Sequence, residues 1–197
     1  MSLQAIANVL HLDYVECCYW FNNIELLTTQ GVKRLLDNPF GTDVYAGTSG
    51  GKDSSVICDL YLRYCEQAQI KPQIIHNKKT IVDPLTVKHL YSLSYPIIYC
   101  SSADTKNCTD RTIQVDGSRI AECSRTNGRS TDFICNGQSI NRKDMTLYNA
   151  RGLFDLRFIY PIYDWSDEQV WTYIYAHKLP VSEEYPFYAL FDYSASL

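Results

Sequence analysis

The chain has 197 residues, of which 46% are hydrophobic and 20% are charged. This length is sufficient for one α/β domain with a hydrophobic core. The formal net charge of −4 argues against binding of extended nucleic acid, because such proteins usually carry a basic face. No apolar run is long enough to span a membrane, and the N-terminus lacks the basic segment of a signal peptide. We therefore expect a cytoplasmic protein without a membrane partner and with reduced thiols.

The N-terminal part of the chain is predicted to be helical. Apolar residues recur at helical spacing across residues 14–37, and a cluster of Asn, Pro and Gly then ends the segment. We predict a helix there, with a break near Gly31. The simplest division of the chain is a helical segment over residues 1–42 and an α/β domain over residues 43–197, which together form one compact unit.

Beyond residue 42, strand and helix patterns alternate. Short apolar runs predict strands, and longer runs with a period of 3.6 residues predict helices. The predicted elements are a strand over 43–47, a helix over 53–68, a strand over 72–76, a helix over 84–93, strands over 96–100 and 131–136, and a strand or an extended segment over 157–162. Residues 101–122 are polar, and we predict an irregular segment there. Ser166 and Gln169 match a capping box that begins a final helix. This alternation predicts a mostly parallel sheet with helices on both faces.

A glycine-rich turn joins the first predicted strand to the next helix. Its adjacent glycines let the backbone turn tightly and expose N–H groups at the positive end of the helix. Lys52 adds a positive charge for phosphate oxygens, and the serine hydroxyls beside it can donate hydrogen bonds. Asp53 would repel a bare phosphate, so we expect it either to hold Mg²⁺ or to cap the helix. The predicted anion site consists of Ser49, Gly50, Gly51, Lys52, Asp53 and Ser54.

This loop differs from the ordinary P-loop, because an aspartate follows Lys52 where that motif has Ser or Thr. Its sequence resembles the PP-loop of the adenine nucleotide alpha hydrolase-like superfamily, which includes ATP pyrophosphatases. Residues 159–171 contain Tyr-Pro-Ile-Tyr-Asp-Trp and resemble a signature of the phosphoadenosine phosphosulfate (PAPS) reductase family. The resemblance implies a Rossmann-like α/β fold of five or six mostly parallel strands. It also implies a nucleotide at the carboxyl ends of those strands.

The resemblance implies further nucleotide-binding residues. The family's second phosphate- and sugar-side loop corresponds to His76, Lys78, Lys79 and Thr80. Arg142 matches an arginine-bearing loop that faces the nucleotide or sulfate, and its guanidinium can grip two anion oxygens. We predict Lys52, Asp53 and Arg142 as catalytic residues, Asp53 as the metal ligand, and ATP or a related adenine nucleotide with Mg²⁺ as the cofactors. Asp164, the acid of the signature, either serves the site or braces its turn.

Three functions remain open. In the first, the loop holds ATP with Mg²⁺, a nucleophile attacks the α-phosphorus and pyrophosphate leaves, which activates an unidentified second substrate. The intact loop favours this reaction. In the second, a cysteine thiolate attacks the sulfur of PAPS or adenosine phosphosulfate (APS), although the sequence contains no Glu-Cys-Gly segment of the kind found in the family's reductases. In the third, the protein binds or sequesters a nucleotide without turnover.

The eight cysteines bear on the choice between these functions. Their spacings match no usual zinc or iron–sulfur pattern, and small buried thiols account for most of them. The sequence does not determine the oligomeric state, and a homo-oligomer stays open. We expect a small-molecule nucleotide as the main partner.

Overall fold

The structure of the protein is a computed structural model. It describes residues 2–38, 40–78, 83–101, 108–119, 132–135, 138–141, 158–183 and 185, with the backbone alone for Lys78, 132–135 and 138–141.

Three helices precede the first strand: α1 (Leu3–Leu10), α2 (Tyr14–Asn22) and α3 (Ile24–Leu36). The side chains of Ser2 and Asp13 cap α1 and α2 by accepting backbone N–H groups. The predicted break near Gly31 is wrong, since the interruption lies at Asn23. Gly31 instead lets α3 approach its neighbour closely: a Cβ there would lie 2.7 Å from Leu60 Cδ1.

The strands are short and form two sheets. They are β1 (Val44–Gly47), β2 (Ile74–Lys78), β3 (Ile98–Ser101), β4 (Ile113–Val115), β5 (Asp132–Cys135), β6 (Gln138–Asn141) and β7 (Phe158–Ile159). The main sheet has five parallel strands in the order β3-β2-β1-β4-β7, whereas β5 and β6 form a separate antiparallel pair. The predicted Rossmann-like α/β class is therefore confirmed.

The prediction of an irregular segment over residues 101–122 is wrong in its second half. Strand β4 lies there and pairs with β1, with Val44 opposite Ile113 and Ala46 opposite Val115. Its sequence, Ile-Gln-Val, is too short for alternation to stand out from the polar residues around it. The position of β4 inside the sheet, between β1 and β7, is a consequence of long-range pairing.

The remaining helices begin where their capping signals predict. They are α4 (Lys52–Ala68), α5 (Pro84–Ser92) and α6 (Asp167–Ala176). Asp83 caps α5, and Pro84 is its first residue. Ser166 and Gln169 form the predicted capping box at the start of α6. The predicted sequence of strand, glycine turn and helix is confirmed for β1 and α4.

The main core lies on one face of the parallel sheet. Successive side chains of a strand point to opposite faces, so Val44 and Ala46 meet the helices while Tyr45 points away. The core is continuous through α3, α4 and α6, which contribute Leu27, Leu35, Val56, Ile57, Leu60, Val170 and Ile174. On the opposite face, Tyr45 packs with Ile75 and Cys100. The proposed division of the chain after residue 42 stays a prediction.

None of the helices in the described part of the chain has the length and apolarity needed to cross a membrane.

Candidate functional site

A cavity of about 610 Å³ opens at the carboxyl ends of β1, β2 and β4. This volume lies in the usual range for small-molecule sites. In the strand order, β2 and β4 flank β1 on opposite sides, so the cavity lies where the winding of the sheet changes direction. Ligands of open α/β sheets bind at this kind of position. The predicted anion loop, residues 49–54, forms one wall of the cavity.

The backbone of the loop has the conformation that its glycines predict. Gly50 has φ +82°, which a residue with a side chain adopts only with strain. A Cβ at Gly50 would also lie 2.8 Å from Thr86 Cγ2 and 3.3 Å from Leu90 Cγ, so α5 packs directly on the loop. Gly51 is the N-cap of α4, and the first turn of the helix faces the cavity. The positive end of a 17-residue helix is thereby directed at the cavity.

A tyrosine hydroxyl already accepts a hydrogen bond from one backbone N–H group of the loop. The backbone N–H of Lys52 donates to Tyr185 Oη at 3.0 Å. Tyr185 also lines the cavity, and its ring packs edge-on against Trp171 with 5.3 Å between ring centroids. An anion that binds the Lys52 N–H would therefore replace a phenol oxygen. Sequence reasoning missed Tyr185, because no local signal connects it with a loop 133 positions away.

The serines of the loop form a compact hydroxyl group. Ser54 Oγ lies 3.3 Å from Ser49 Oγ and donates to the Gly51 carbonyl at 2.8 Å. Ser55 Oγ donates to the same carbonyl at 3.2 Å. Ser49 and Ser54 both line the cavity, as predicted for hydroxyl donors beside an anion. Ser55 is buried and fastens the first turn of α4.

Within the described part of the chain, Lys52 and Asp53 belong to a cluster of four charged side chains. Lys52 Nζ lies 2.5 Å from Asp53 Oδ2 and 3.9 Å from Asp167 Oδ1. Arg119 Nε donates to Asp53 Oδ1 at 2.6 Å, and Arg119 Nη2 donates to Asp167 Oδ1 at 2.7 Å. The side chain of Arg119 is fully buried, with an exposed fraction of 0%. Buried charges need such pairing, because desolvation otherwise costs several kcal/mol per ion.

Asp53 does not cap α4, since its side chain accepts from Lys52 and Arg119 instead of a backbone N–H. Its fit as a metal ligand depends on Lys52. Oδ1 is held by Arg119, so Oδ2 is the oxygen that a cation could take if Lys52 moved to a phosphate. Hydroxyls and carboxylates also line the cavity, and oxygen donors with substrate phosphates are the ligands that Mg²⁺ prefers. The donor set therefore fits Mg²⁺ bound together with a nucleotide.

His76 lies on β2, is buried and lines the cavity. Its Nδ1 lies 2.9 Å from the carbonyl oxygen of Thr48. Because a carbonyl only accepts, Nδ1 carries a proton, and Nε2 can accept a hydrogen bond when it carries none. This arrangement fastens the end of β1 to β2. It also suits His76 to accept a hydrogen bond from a ligand hydroxyl.

Residues of β4 and of the turn after it form another part of the cavity wall, and sequence reasoning did not assign them. Gln114, Asp116 and Ser118 line the cavity, and Asp116 Oδ1 accepts from both the N–H and the hydroxyl of Ser118. Gly117 passes so close to the loop that a Cβ would lie 3.0 Å from the Asp53 carbonyl carbon. The Asp116-Gly117 turn was the available signal, but without knowledge of β4 it indicated only irregular structure.

The signature segment before α6 braces the site from outside. Asp164 receives two hydrogen bonds of 2.7 Å from the Arg34 guanidinium on α3, and it is not among the residues that line the cavity. Trp165 is buried in the core, and its carbonyl accepts from Arg119 Nη1 at 2.9 Å. Of the two roles left open for Asp164, the contacts favour bracing of the turn.

Several predicted site residues fall outside the described part of the structure. These are Lys79, Thr80, Arg142 and the side chain of Lys78. Their roles stay predictions.

The described cysteines are free thiols: Cys17, Cys18, Cys58, Cys65, Cys100 and Cys108. Burial raises the pKa of the Cys58 thiol to about 12 and also raises the pKa of Cys17 and Cys65. A thiol of raised pKa is a poor nucleophile at neutral pH. Within the described ranges, no three His, Cys, Asp or Glu side chains are grouped to hold a metal ion.

The topology and the loop define the class: a Rossmann-like α/β protein with a candidate anion site at the switch point of its sheet. The family model of the phosphoadenosine phosphosulfate reductase domain matches residues 135–186 of the chain. This family belongs to the adenine nucleotide alpha hydrolase-like superfamily, and the predicted resemblance is confirmed. The match includes the signature segment and Tyr185 but not the PP-loop. No curated protein matches the chain.

Proposed function

We propose that the protein is an enzyme that binds an adenine nucleotide through the PP-loop. The observation that carries this proposal is the loop's position at the amino end of α4, in a cavity at the switch point of the sheet. Backbone N–H groups, serine hydroxyls and Lys52 converge there, which suits an anion of the size of a polyphosphate. The resemblance of residues 135–186 to a sulfonucleotide-reductase domain supports a nucleotide as the bearer of that anion.

The charged side chains that line the cavity favour a nucleotide that binds together with a metal ion. Among the described residues that line the cavity, the carboxylates of Asp53, Asp83 and Asp116 outnumber the single lysine, Lys52. A polyphosphate therefore needs additional positive charge. We propose that Mg²⁺, held by Asp53 and the phosphates, supplies part of it, and that Lys78, Lys79 and Arg142 supply the rest. Thr80 and His76 would contact the phosphates and sugar.

The proposed reaction is cleavage of the α–β phosphate bond of ATP. A second substrate attacks the α-phosphorus, and pyrophosphate leaves into the PP-loop. The residues of the loop would bind and orient the leaving group, with Lys52 balancing its charge. Mg²⁺, when bound, would withdraw charge from the phosphate oxygens. The intact Ser-Gly-Gly-Lys-Asp-Ser sequence favours this reaction over the alternatives.

Reduction of a sulfonucleotide is the second candidate, because the matching domain is named for that reaction. In it, a cysteine thiolate would attack the sulfur of PAPS or APS and displace the nucleotide phosphate, and a thiol reductant would then release sulfite from the resulting S-sulfocysteine by forming a disulfide with the cysteine. Cys58 is unsuited to this attack because burial raises its pKa to about 12. Two of the eight cysteines, Cys123 and Cys135, have side chains outside the described part of the structure. A non-catalytic nucleotide-binding module is the third candidate.

Two product assays separate these functions. The purified protein is incubated with ATP and Mg²⁺ and assayed for pyrophosphate, and separately with PAPS or APS and a thiol reductant and assayed for sulfite. We expect pyrophosphate together with AMP, because water takes the place of the unidentified nucleophile in this assay. Release of sulfite alone would replace the proposed reaction with the second candidate, and tight ATP binding without either product would favour the third. Absence of nucleotide binding by calorimetry would overturn the proposal.

Lys52→Ala tests the site itself. Loss of a charge-assisted contact of about 1.5–3 kcal/mol should weaken ATP binding by about 10- to 100-fold. Lys33→Ala is the matched control, since Lys33 forms an exposed pair with Asp37 on α3. Calorimetry at one Mg²⁺ concentration should show a change for Lys52→Ala and none for Lys33→Ala. Equal affinity of the two variants would contradict the assignment of Lys52.

A further inference from the structure

Arg119 is a fully buried cation that joins three distant segments of the chain. Its guanidinium donates to Asp53 at the start of α4, to Asp167 at the start of α6 and to the carbonyl of Trp165 before α6. The three distances lie between 2.6 and 2.9 Å. A planar guanidinium can donate in several fixed directions at once, which a lysine ammonium on a flexible stem does less well.

Among the described residues around Arg119, positive and negative side chains are equal in number. Lys52 and Arg119 contribute two positive charges, and Asp53 and Asp167 contribute two negative charges. Each carboxylate contacts both cations: Asp53 holds one on each oxygen, and Asp167 Oδ1 lies 2.7 Å from Arg119 and 3.9 Å from Lys52. Lys52 and Asp53 are the two members of this cluster that belong to the PP-loop, and both line the cavity, whereas Arg119 and Asp167 are not among its lining residues.

This geometry has a consequence for ligand binding. A phosphate that takes Lys52 leaves Asp53 and Asp167 with Arg119 as their remaining cation within the cluster. With Arg119 present, both carboxylates stay paired when Lys52 turns to the ligand. Without it, Asp53 would give up its contact with Lys52 and would also lack the Arg119 contact on its other oxygen, and loss of both cations from a largely buried carboxylate is strongly unfavourable. Lys52 would then stay with Asp53.

We propose that Arg119 is a positioning residue of the phosphate site, which neutralises Asp53 and Asp167 and so makes Lys52 available to phosphoryl oxygens. This inference rests on the proposed function, since it requires that the PP-loop binds phosphates. It assigns a role in ligand affinity to a side chain that does not itself contact the ligand. It also explains why an acid can follow Lys52 in an anion-binding loop.

The test uses inorganic pyrophosphate without metal, so that a metal role of Asp53 does not enter. Calorimetry compares the unmodified protein with Arg119→Met, Arg119→Lys and the double variant Arg119→Met/Asp53→Asn. We expect Arg119→Met to weaken pyrophosphate binding by about tenfold or more, the size expected for loss of one charge-assisted contact. Arg119→Lys, which keeps the charge, should stay within about threefold of the unmodified protein. The double variant should recover most of the loss, because Asp53, the carboxylate 2.5 Å from Lys52 Nζ, is then neutral, and the remaining carboxylate, Asp167, lies 3.9 Å from that nitrogen.

Recovery in the double variant separates positioning from a structural role. If Arg119 only stabilised the fold, removal of a second charged side chain would not restore binding. An Arg119→Met protein that binds pyrophosphate normally, or a double variant as weak as Arg119→Met, would overturn the inference. If Arg119→Met does not fold, the Arg119→Lys variant still tests the inference. A tenfold loss of pyrophosphate affinity in a folded Arg119→Lys protein would overturn it. If the unmodified protein binds neither pyrophosphate nor ATP, the proposed function itself fails.

Discussion

Lys52 presents two groups to the candidate site, and both have partners within the chain. Its ammonium pairs with Asp53, and its backbone N–H donates to the Tyr185 hydroxyl. A phosphate would compete with each of these contacts. Such exchange lowers the net gain from each new hydrogen bond to about 0.5–1.5 kcal/mol, or to about twice that when charge assists. Affinity at this site therefore depends on the internal partners as well as on the loop.

Tyr185→Phe tests the internal partner of the N–H. Removal of the phenol oxygen leaves the ring against Trp171 and frees the Lys52 N–H for an anion. We expect pyrophosphate to bind about two- to tenfold more tightly, corresponding to one hydrogen bond that no longer has to be broken. Isothermal titration calorimetry measures the change.

The matched control is Tyr91→Phe, because Tyr91 is exposed on α5 and is not among the residues that line the cavity. It should leave the affinity unchanged. Weaker binding by Tyr185→Phe would contradict the prediction and would mean that the hydroxyl contacts the ligand.

At the scale of elements, the PP-loop is held between two neighbours. Helix α5 packs on Gly50 through Thr86 and Leu90, and the turn after β4 packs on Asp53 through Gly117. Both approaches need a residue without a side chain. The loop therefore keeps its shape through the packing of α5 and the β4 turn, in addition to its own hydrogen bonds.

Gly50→Ala tests the packing of α5 on the loop. The substitution introduces a Cβ at positive φ, at a cost of about 1–2 kcal/mol, and a clash with Thr86 that costs about 1–3 kcal/mol more. We expect the free energy of unfolding to fall by about 2–5 kcal/mol in urea titrations. ATP binding should weaken as the loop shifts.

Gly41→Ala separates the two causes. Gly41 also has positive φ, but a Cβ there would meet nothing within 4 Å. Gly41→Ala should therefore lower the free energy of unfolding only by the backbone cost of positive φ, about 1–2 kcal/mol. Equal destabilisation by the two substitutions would show that α5 does not constrain the loop.

At the scale of the whole molecule, one polar network ties α3, α4 and α6 together at their shared core. The Arg63 guanidinium lies 3.1 Å from His177 Nδ1 and, since it can only donate, makes this nitrogen an acceptor. Nε2 then carries the proton and donates to Thr28 Oγ1 at 3.0 Å. The two contacts together require a neutral imidazole, because Nδ1 can accept only when it carries no proton. Burial and the neighbouring Arg63 lower the pKa of His177, against weaker raising effects of Asp59 and Glu25.

This network predicts that stability falls as the solution is acidified. Burial also lowers the pKa of His89, so the folded protein binds protons at these two histidines less readily than the unfolded chain, whose histidines titrate near pH 6.5. The free energy of unfolding should be highest above pH 6.5 and should decrease as the pH falls below it. The slope can reach about 1.4 kcal/mol per pH unit for each histidine.

Urea unfolding at several pH values between 5 and 7 measures this slope, above the range in which most carboxylates titrate. His177→Gln should reduce it, since glutamine offers similar polar groups without titrating. A free energy of unfolding that stays constant or rises from pH 7 to pH 5 would refute the prediction. An unchanged slope in His177→Gln would remove His177 as its source.

The sequence by itself determined the features that depend on near neighbours. Glycines at positions 50 and 51 between a strand and a helix, Pro84 after a capping aspartate, and the Ser166–Gln169 capping box each act within a few residues. Local backbone preference and local hydrogen bonding decide such features, so their patterns can be recognised without the fold. The parallel α/β class followed from the alternation of these elements.

Only the tertiary structure decided what the loop meets. Strand β4 is three residues long and is held by its pairing with β1 and β7, which local propensity cannot reveal. With β4 paired between β1 and β7, Arg119 contacts Asp53, which is 66 positions away in the sequence. Tyr185 contacts Lys52, which is 133 positions away. Neither residue has a local signal, because buried charge pairing and hydrogen bonding at a cavity depend on groups that only folding brings together. The loop was therefore predictable from its own sequence, whereas the contacts proposed to control Lys52 were not.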